Sequence, residues 1–160
     1  MRKYSSLFWY VALFVISFLA DRATKFFVLR QARDFGFCSL LYKVNKCISF
    51  DLVFNRGMSW GIFASENNFV FLLVSMCITF ITVIILVYAY MRFRSGDIII
   101  GEVFVIAGSV SNIIDRIVYG GVVDFIAISF GNWFWPVFNV ADMFIVIGVC
   151  IMLLTVWYKK

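Results

Sequence analysis

The sequence predicts an all-α membrane protein: four transmembrane helices, with a small extracytoplasmic β-sheet between the first two. Three observations predict it. Of the 160 residues 64% are hydrophobic, where an ordinary soluble domain has about 45–50%. Only 14% are charged, against about 25% in an ordinary domain. The apolar residues also fall into four runs near the length of about 20 residues that a membrane-crossing helix needs. An apolar excess of this size, with a mean hydropathy of +0.99, is more than one core can bury, so lipid must cover the rest.

Helix 1 is expected over about 5–28, on the run SSLFWYVALFVISFLA from Ser5 to Ala20. Its basic start could belong to a cleaved leader. The run ends in FLADR, however, with bulky Phe18 where a cleavage site needs a small residue, so the helix is expected to be retained. Between helices 1 and 2, an outer β region is expected over about 36–65. Here CISFDLVFNRGMSWGIF, from Cys47 to Phe63, is rich in β-branched and aromatic residues and is broken at Asn55 and Gly57, which predicts short strands with a turn near NRG. Helix 2, about 69–91, is the cleanest span. Helix 3, about 98–116, is shorter and carries Glu102, expected at its cytoplasmic end and expected to snorkel. The connection 116–137 is too apolar for an ordinary loop, and Trp133, Trp135 and Pro136 fit an interfacial anchor. Helix 4 is expected over about 139–158. No repeat or linker divides the chain, so one membrane-embedded domain over 1–160 is expected.

Charge sets the topology. Arg2, Lys3, Arg92, Arg94, Lys159 and Lys160 share one side when four spans are counted, and the positive-inside rule makes that side cytoplasmic. The basic residues of the long first connection oppose this, but a folded segment of that length weighs less. The net charge of +5 thus reads as headgroup contact and not as nucleic-acid binding. Histidine is absent, which removes histidine-based triads and histidine-ligated metals. Of four cysteines, Cys77 and Cys150 read as small apolar residues in spans. Cys38 and Cys47 could form a disulfide in an oxidising compartment, and without a CxxC pair no metal site is expected.

Ionisable residues inside spans are costly and therefore informative. They are Asp21, Lys25, Glu102, Asp115, Arg116, Asp124 and Asp142, and all but Glu102 fall near helix ends on the outer side. Asp21 and Lys25, four apart, can pair. Asn112 and Arg116 share a helix face, with Asp115 beside them. Asn139 could serve only as an N-cap and Asp142 only as a first-turn acid. Asp124, in VVDFI, has no adjacent basic partner and no helix to cap. Eighteen residues separate it from Asp142, which along one helix would be about 27 Å. Gly131 and Pro136 break any such helix, so the chain can fold back. Two acids held close in a low-dielectric site share a proton, and one pKa rises as the other falls. The ionised acid can take a proton from water while the protonated one polarises a carbonyl. That chemistry needs neither histidine nor metal.

Four stretches carry a resemblance. DRATKFFV (Asp21–Val28), FNRGMSWGIF (Phe54–Phe63), GSVSNIIDRIVYGGVVDFI (Gly108–Ile126) and FNVADMFIVIG (Phe138–Gly148) occur in this order, and the chain resembles the lipoprotein signal peptidases, signal peptidase II. The resemblance implies four transmembrane helices with an outer β-cradle, and a catalytic dyad of Asp124 and Asp142. It implies that Asn55, Gly57, Asn112, Arg116 and Asn139 bind substrate, that Asp21, Lys25 and Asp115 are structural, and that no cofactor or metal is used. The implied substrate is a lipidated bacterial prolipoprotein, cut before its diacylglyceryl cysteine. The implied contacts are membrane lipid and globomycin-type inhibitors, with no nucleic acid, in the bacterial inner membrane with both termini cytoplasmic and the site near the outer face. Met58, Ser59 and Trp60 depart from the small residues usual after N-x-G, and Gly108-Ser109 stands where GG is usual. Rival readings are a small proton-coupled transporter using the same acids as a relay, a serine protease built on Ser59 or Ser109 with Lys25, and an assembly factor without chemistry.

Overall fold

The computed structural model describes residues 2–34, 40–57 and 67–158. In chain order the elements are α1 (Arg2–Asp34), β1 (Leu40–Lys43), β2 (Ile48–Asn55), α2 (Asn68–Arg94), α3 (Ile100–Tyr119), β3 (Val122–Phe130), β4 (Trp133–Phe138) and α4 (Val140–Trp157). The four expected helices are present, each within a few residues of its expected bounds except α1, which runs six residues further at its C-terminal end. Among the described residues two of them, α2 and α4, are long and apolar enough to cross a membrane.

The sheet corrects the expectation that strands arise only between helices 1 and 2. It has four antiparallel strands in the order β1-β2-β3-β4, and half of them come from the connection between α3 and α4. That connection is a hairpin and not a simple interfacial anchor. Its strands, VVDFIAISF and WFWPVF, are rich in β-branched and aromatic residues, and Gly131, at φ 60°, turns the chain in the two residues between Phe130 and Trp133. Pro136 does not bend the chain into a loop. It sits in β4, at the sheet edge, where a missing N–H leaves no ladder bond unmade. The β1–β2 hairpin is closed by Asn45, whose Oδ1 accepts from the backbone N of Cys47 (2.7 Å) and of Ile48 (2.9 Å). Cys38, Met58, Ser59 and Trp60 lie outside the described residues, and with Cys38 the expected disulfide; Cys47 is a free thiol.

Contacts divide the chain into two compact units. The first holds 1–21, 77–111 and 140–160, and the second holds 22–76 and 112–139. In the first, α3 and α4 meet on small residues. A Cβ on Gly108 would lie 2.5 Å from the carbonyl oxygen of Ala141, and one on Gly148 would lie 2.5 Å from that of Gly101. Such close backbone approach is how helices pack where lipid gives no hydrophobic drive between them. The turn after α2 is a Schellman motif. Asp97 N donates to Arg92 O and Gly96 N to Phe93 O, with Gly96 in the left-handed region at φ 83°. Beside this turn Glu102 does not snorkel. It is 1% exposed and pairs with Arg92 Nη1 at 2.5 Å, because a carboxylate this deep needs a cation.

In the second unit, β2 and β3 form the centre of the sheet, with Asn55 opposite Val122 and Val53 opposite Asp124. Gly120, at φ 69°, ends α3. Gly121 then lets the chain enter β3 against β2, where a Cβ would sit 3.2 Å from the backbone of Phe54. This places Asp124 beside the end of β2.

Candidate active site

Asp124 is 2% exposed. Asn55 donates through Nδ2 to its Oδ2 at 3.0 Å, and Asn139 donates through Nδ2 to its Oδ1 at 2.6 Å. Each amide is fixed in turn. Asn55 ends β2 and accepts the backbone N of Gly57 at 2.9 Å, a side-chain turn that closes the strand. Asn139 is fully buried and also donates to Asn112 Oδ1 at 3.2 Å. It is therefore more than an N-cap for α4: its amide faces back toward Asp124. Two neutral amides, one ending β2 and one just before α4, thus donate to this acid.

Asn112 links this group to a second one. Its Oδ1 also accepts from Lys25 Nζ at 2.8 Å, and Lys25 pairs with Asp115 at 2.6 Å, both side chains being fully buried. Arg22 also pairs with Asp115. Asp115 Oδ2, the oxygen paired with Lys25, also accepts the backbone N of Val123 at 3.2 Å, the residue just before Asp124. Arg116, 6% exposed, donates to the carbonyl oxygen of Gly57 and lies over the Phe71 ring at 5.8 Å. The N-x-G stretch thus has its side chain on Asp124 and its glycine carbonyl on Arg116.

Asp142 lies in the first turn of α4 and is partly buried. Asp21, fully buried, accepts Ser111 Oγ at 2.6 Å and the backbone N of Ala141 at 2.8 Å. That is the peptide just before Asp142. A carboxylate supplied to a helix N-terminus satisfies an orphan donor and meets the positive end of the dipole. Asp124 and Asp142 are therefore alike in one respect. The residue preceding each is tied through its N–H to a buried carboxylate of another element, Asp115 of α3 for one and Asp21 of α1 for the other.

Of the residues expected at the site, Asn55, Asn112 and Asn139 gather at or next to Asp124, and Gly57 joins Arg116. Lys25 and Asp115 form the adjoining ion pair. Asp21 and Asp142 belong to the first unit with the start of α4. Ser111 and Arg22 complete these contacts and escape sequence reasoning. Ser111 is one small hydroxyl among several in GSVSN, and Arg22 counts as one more basic residue of a long connection. No group of three or more His, Cys, Asp or Glu able to hold a metal occurs among the described residues. A groove of about 630 Å³ lies between α1 and the sheet, walled by Phe27, Val28, Phe50 and Phe125 among others.

Known proteins give this arrangement a family. A family model described as signal peptidase (SPase) II matches residues 13–158. The chain is 34% identical over 157 residues to the lipoprotein signal peptidase of Blochmanniella pennsylvanica, covering 98% of this chain and 92% of that protein. It is 36% identical over 144 residues to the lipoprotein signal peptidase of Wigglesworthia glossinidia brevipalpis, covering 88% and 90%. Its fold matches that of a bacterial membrane enzyme solved in meso at 2.3 Å, with a TM-score of 0.73 at 23% identity over 94% of this chain and 88% of that one. The chain belongs to the signal peptidase II family.

Proposed function

We propose that the chain is an intramembrane aspartic endopeptidase of 160 residues in one domain. It removes the signal peptide from diacylglyceryl-modified bacterial prolipoproteins and cuts before the lipidated cysteine. Asp124 and Asp142 act as the acid–base pair. Asn55, Gly57, Asn112, Arg116 and Asn139 bind and orient substrate, and Asp21, Lys25 and Asp115 hold the frame. All four helices cross the bacterial inner membrane, both termini are cytoplasmic and the site lies near the outer face. Globomycin-type inhibitors compete for that site.

The observation that carries this reading is the setting of Asp124: an acid almost wholly out of water that accepts amide hydrogen bonds from Asn55 and Asn139. In the reaction the ionised aspartate takes a proton from water, and the water oxygen bonds to the scissile carbonyl carbon. The protonated aspartate gives a hydrogen bond, then its proton, to the carbonyl oxygen. On collapse of the tetrahedral gem-diol the C–N bond breaks, the first aspartate gives the proton it took from water to the leaving cysteine nitrogen, and the second takes a proton back from a gem-diol hydroxyl, which restores the pair. The products are a signal peptide with a new carboxylate and a lipidated cysteine with a free amine. The apolar groove beside β3 fits hydrocarbon, in keeping with a substrate that arrives from lipid.

The test is cleavage of a lipidated prolipoprotein by purified protein in detergent. Asp124→Asn and Asp142→Asn should each lower the rate by about 10²–10⁴-fold, the usual contribution of a general acid or base, while both variants keep the wild-type melting behaviour. Wild-type rates in either variant would end the two-aspartate mechanism.

A further inference from the structure

The start of α2 carries a basic pair with no role in the peptidase reading beyond Arg116. Arg56, just past β2, donates through Nη2 to Asn68 Oδ1 at 2.6 Å. Its guanidinium carbon lies 5.0 Å from the centre of the Phe71 ring, and that of Arg116 lies 5.8 Å from the same centre. The two residues also touch directly, Arg116 Nη1 donating to the Arg56 carbonyl oxygen at 3.5 Å. Two positive charges thus share one aromatic platform. The groups on Arg56 are neutral: an amide oxygen and a ring. Its Nε is buried without a hydrogen-bond partner, and no carboxylate pairs with it among the described residues.

The surroundings favour an anion. The first turn of α2 holds no acidic residue; neutral Asn67 Oδ1 accepts the backbone N of Phe69 at 2.8 Å, so no carboxylate among the described residues meets the positive end of the helix dipole there. Asn67 and Asn68 are exposed, which leaves the pair reachable. A planar guanidinium with donors to spare fits phosphate oxygens in a forked geometry. Position then selects the kind of phosphate. α2 is long and apolar enough to cross a membrane, so its first turn meets a headgroup layer, where phosphodiesters are the abundant anions.

We propose that Arg56 and Asn68, on the Phe71 platform and in the field of Arg116, bind the phosphate of an anionic phospholipid at the N-terminal end of α2. The lipid is neither the scissile substrate nor a product. It docks beside the substrate-binding Arg116 and neutralises the basic pair. The inference depends on α2 ending in a headgroup layer and not on the aspartate chemistry.

The test is native mass spectrometry of delipidated full-length protein, titrated with phosphatidylglycerol and, separately, with diacylglycerol of the same chains. Wild type should retain one phosphatidylglycerol at least about tenfold more tightly than diacylglycerol, the effect of one charge-assisted contact. Arg56→Gln should lose that preference, Arg56→Lys should keep part of it, and Asn68→Ala should weaken it should Arg56→Gln fail to fold. Asp124→Asn should bind the lipid as wild type does, which separates this result from the fate of the peptidase mechanism. Equal retention of both lipids by wild type, or an undiminished preference in folded Arg56→Gln, overturns the proposal. Displacement of the lipid by equimolar inorganic phosphate assigns the site to free phosphate and overturns the lipid assignment. Glu66 directly precedes Asn67 in the sequence; a preference that emerges only in Glu66→Gln would mean that the chain supplies its own counter-ion, and overturns the proposal too.

Discussion

At the residue scale, an acid earns a chemical role through what holds it. Asp115 is bound by Lys25, by Arg22 and by a backbone N–H, so its charge is locked and it serves as a strut. Asp124 accepts hydrogen bonds from the amides of Asn55 and Asn139, neutral donors that stabilise an anion. Removing either donor should therefore act on rate before stability. A hydrogen bond to a charged group is worth about 1.5–3 kcal/mol, so Asn139→Ala and Asn55→Ala should each lower kcat/KM about 10- to 100-fold. Initial rates on a lipidated prolipoprotein at matched folded protein check this, and a wild-type rate in Asn139→Ala would remove that amide from the site. Lys25 behaves in the opposite way. Breaking a buried pair leaves an uncompensated charge and costs about 3–5 kcal/mol, so Lys25→Met should lower Tm by about 10 °C in mild detergent. Lys25→Met with Asp115→Leu, which removes both charges, should recover part of the loss. A double variant no more stable than the single would mean that the Asp115 contacts to Val123 and Arg22 dominate.

At the element scale, the helices are legible in the sequence because four long apolar runs have no competing explanation. The second hairpin is not. WFWPVF has the composition of an interfacial anchor, and proline argues against a strand unless the strand is known to lie at an edge. The edge follows only from the sheet order, which no local pattern encodes. The same gap hides the partners of Asp124. Its acid is conspicuous as a carboxylate among apolar residues, but its contact with Asn139 depends on the hairpin register that returns the chain to α4. Glu102 misleads for a related reason. Snorkelling is the fate of a long charged side chain with water in reach, and here Arg92 reaches it first. Glycines separate packing from turning. Gly148→Val should be severely destabilising, by about 3 kcal/mol or more, since its Cβ would overlap a carbonyl oxygen of the facing helix. Gly131→Ala meets nothing within 4 Å and should cost only the left-handed backbone penalty of about 1 kcal/mol. Thermal unfolding of both variants tests the ranking; equal losses would refute the close α3–α4 approach.

At the scale of the whole molecule, burial bears on how many helices cross the membrane, since composition identifies two among the described residues. The spans that pass on hydropathy alone, α2 and α4, carry few charges. In α1 and α3 several charges turn inward: Asp21 and Lys25 in α1, and Glu102, Asp115 and Arg116 in α3, are all 6% exposed or less, while Arg30, Arg33 and Asp34 at the end of α1 are exposed. An average over a window charges the full cost of each ionised group to lipid. In the folded chain the buried ones face protein partners, and lipid never meets them. At 20 residues, α3 is about 30 Å long, enough to cross a hydrocarbon core. If it crosses, the turn at Gly96 and the hairpin tip at Gly131 must lie on opposite sides of the membrane. Single cysteines at Ser95 and at Asn132, in a chain with its four native cysteines replaced by alanine or serine, decide this. In inside-out and right-side-out vesicles a membrane-impermeant maleimide should label the Ser95 site from the cytoplasmic side, where Arg92 and Arg94 place it by charge, and the Asn132 site from the other. Labelling of both from one side would leave α3 within one leaflet or buried against the protein, and would reduce the spans to those that hydropathy alone identifies.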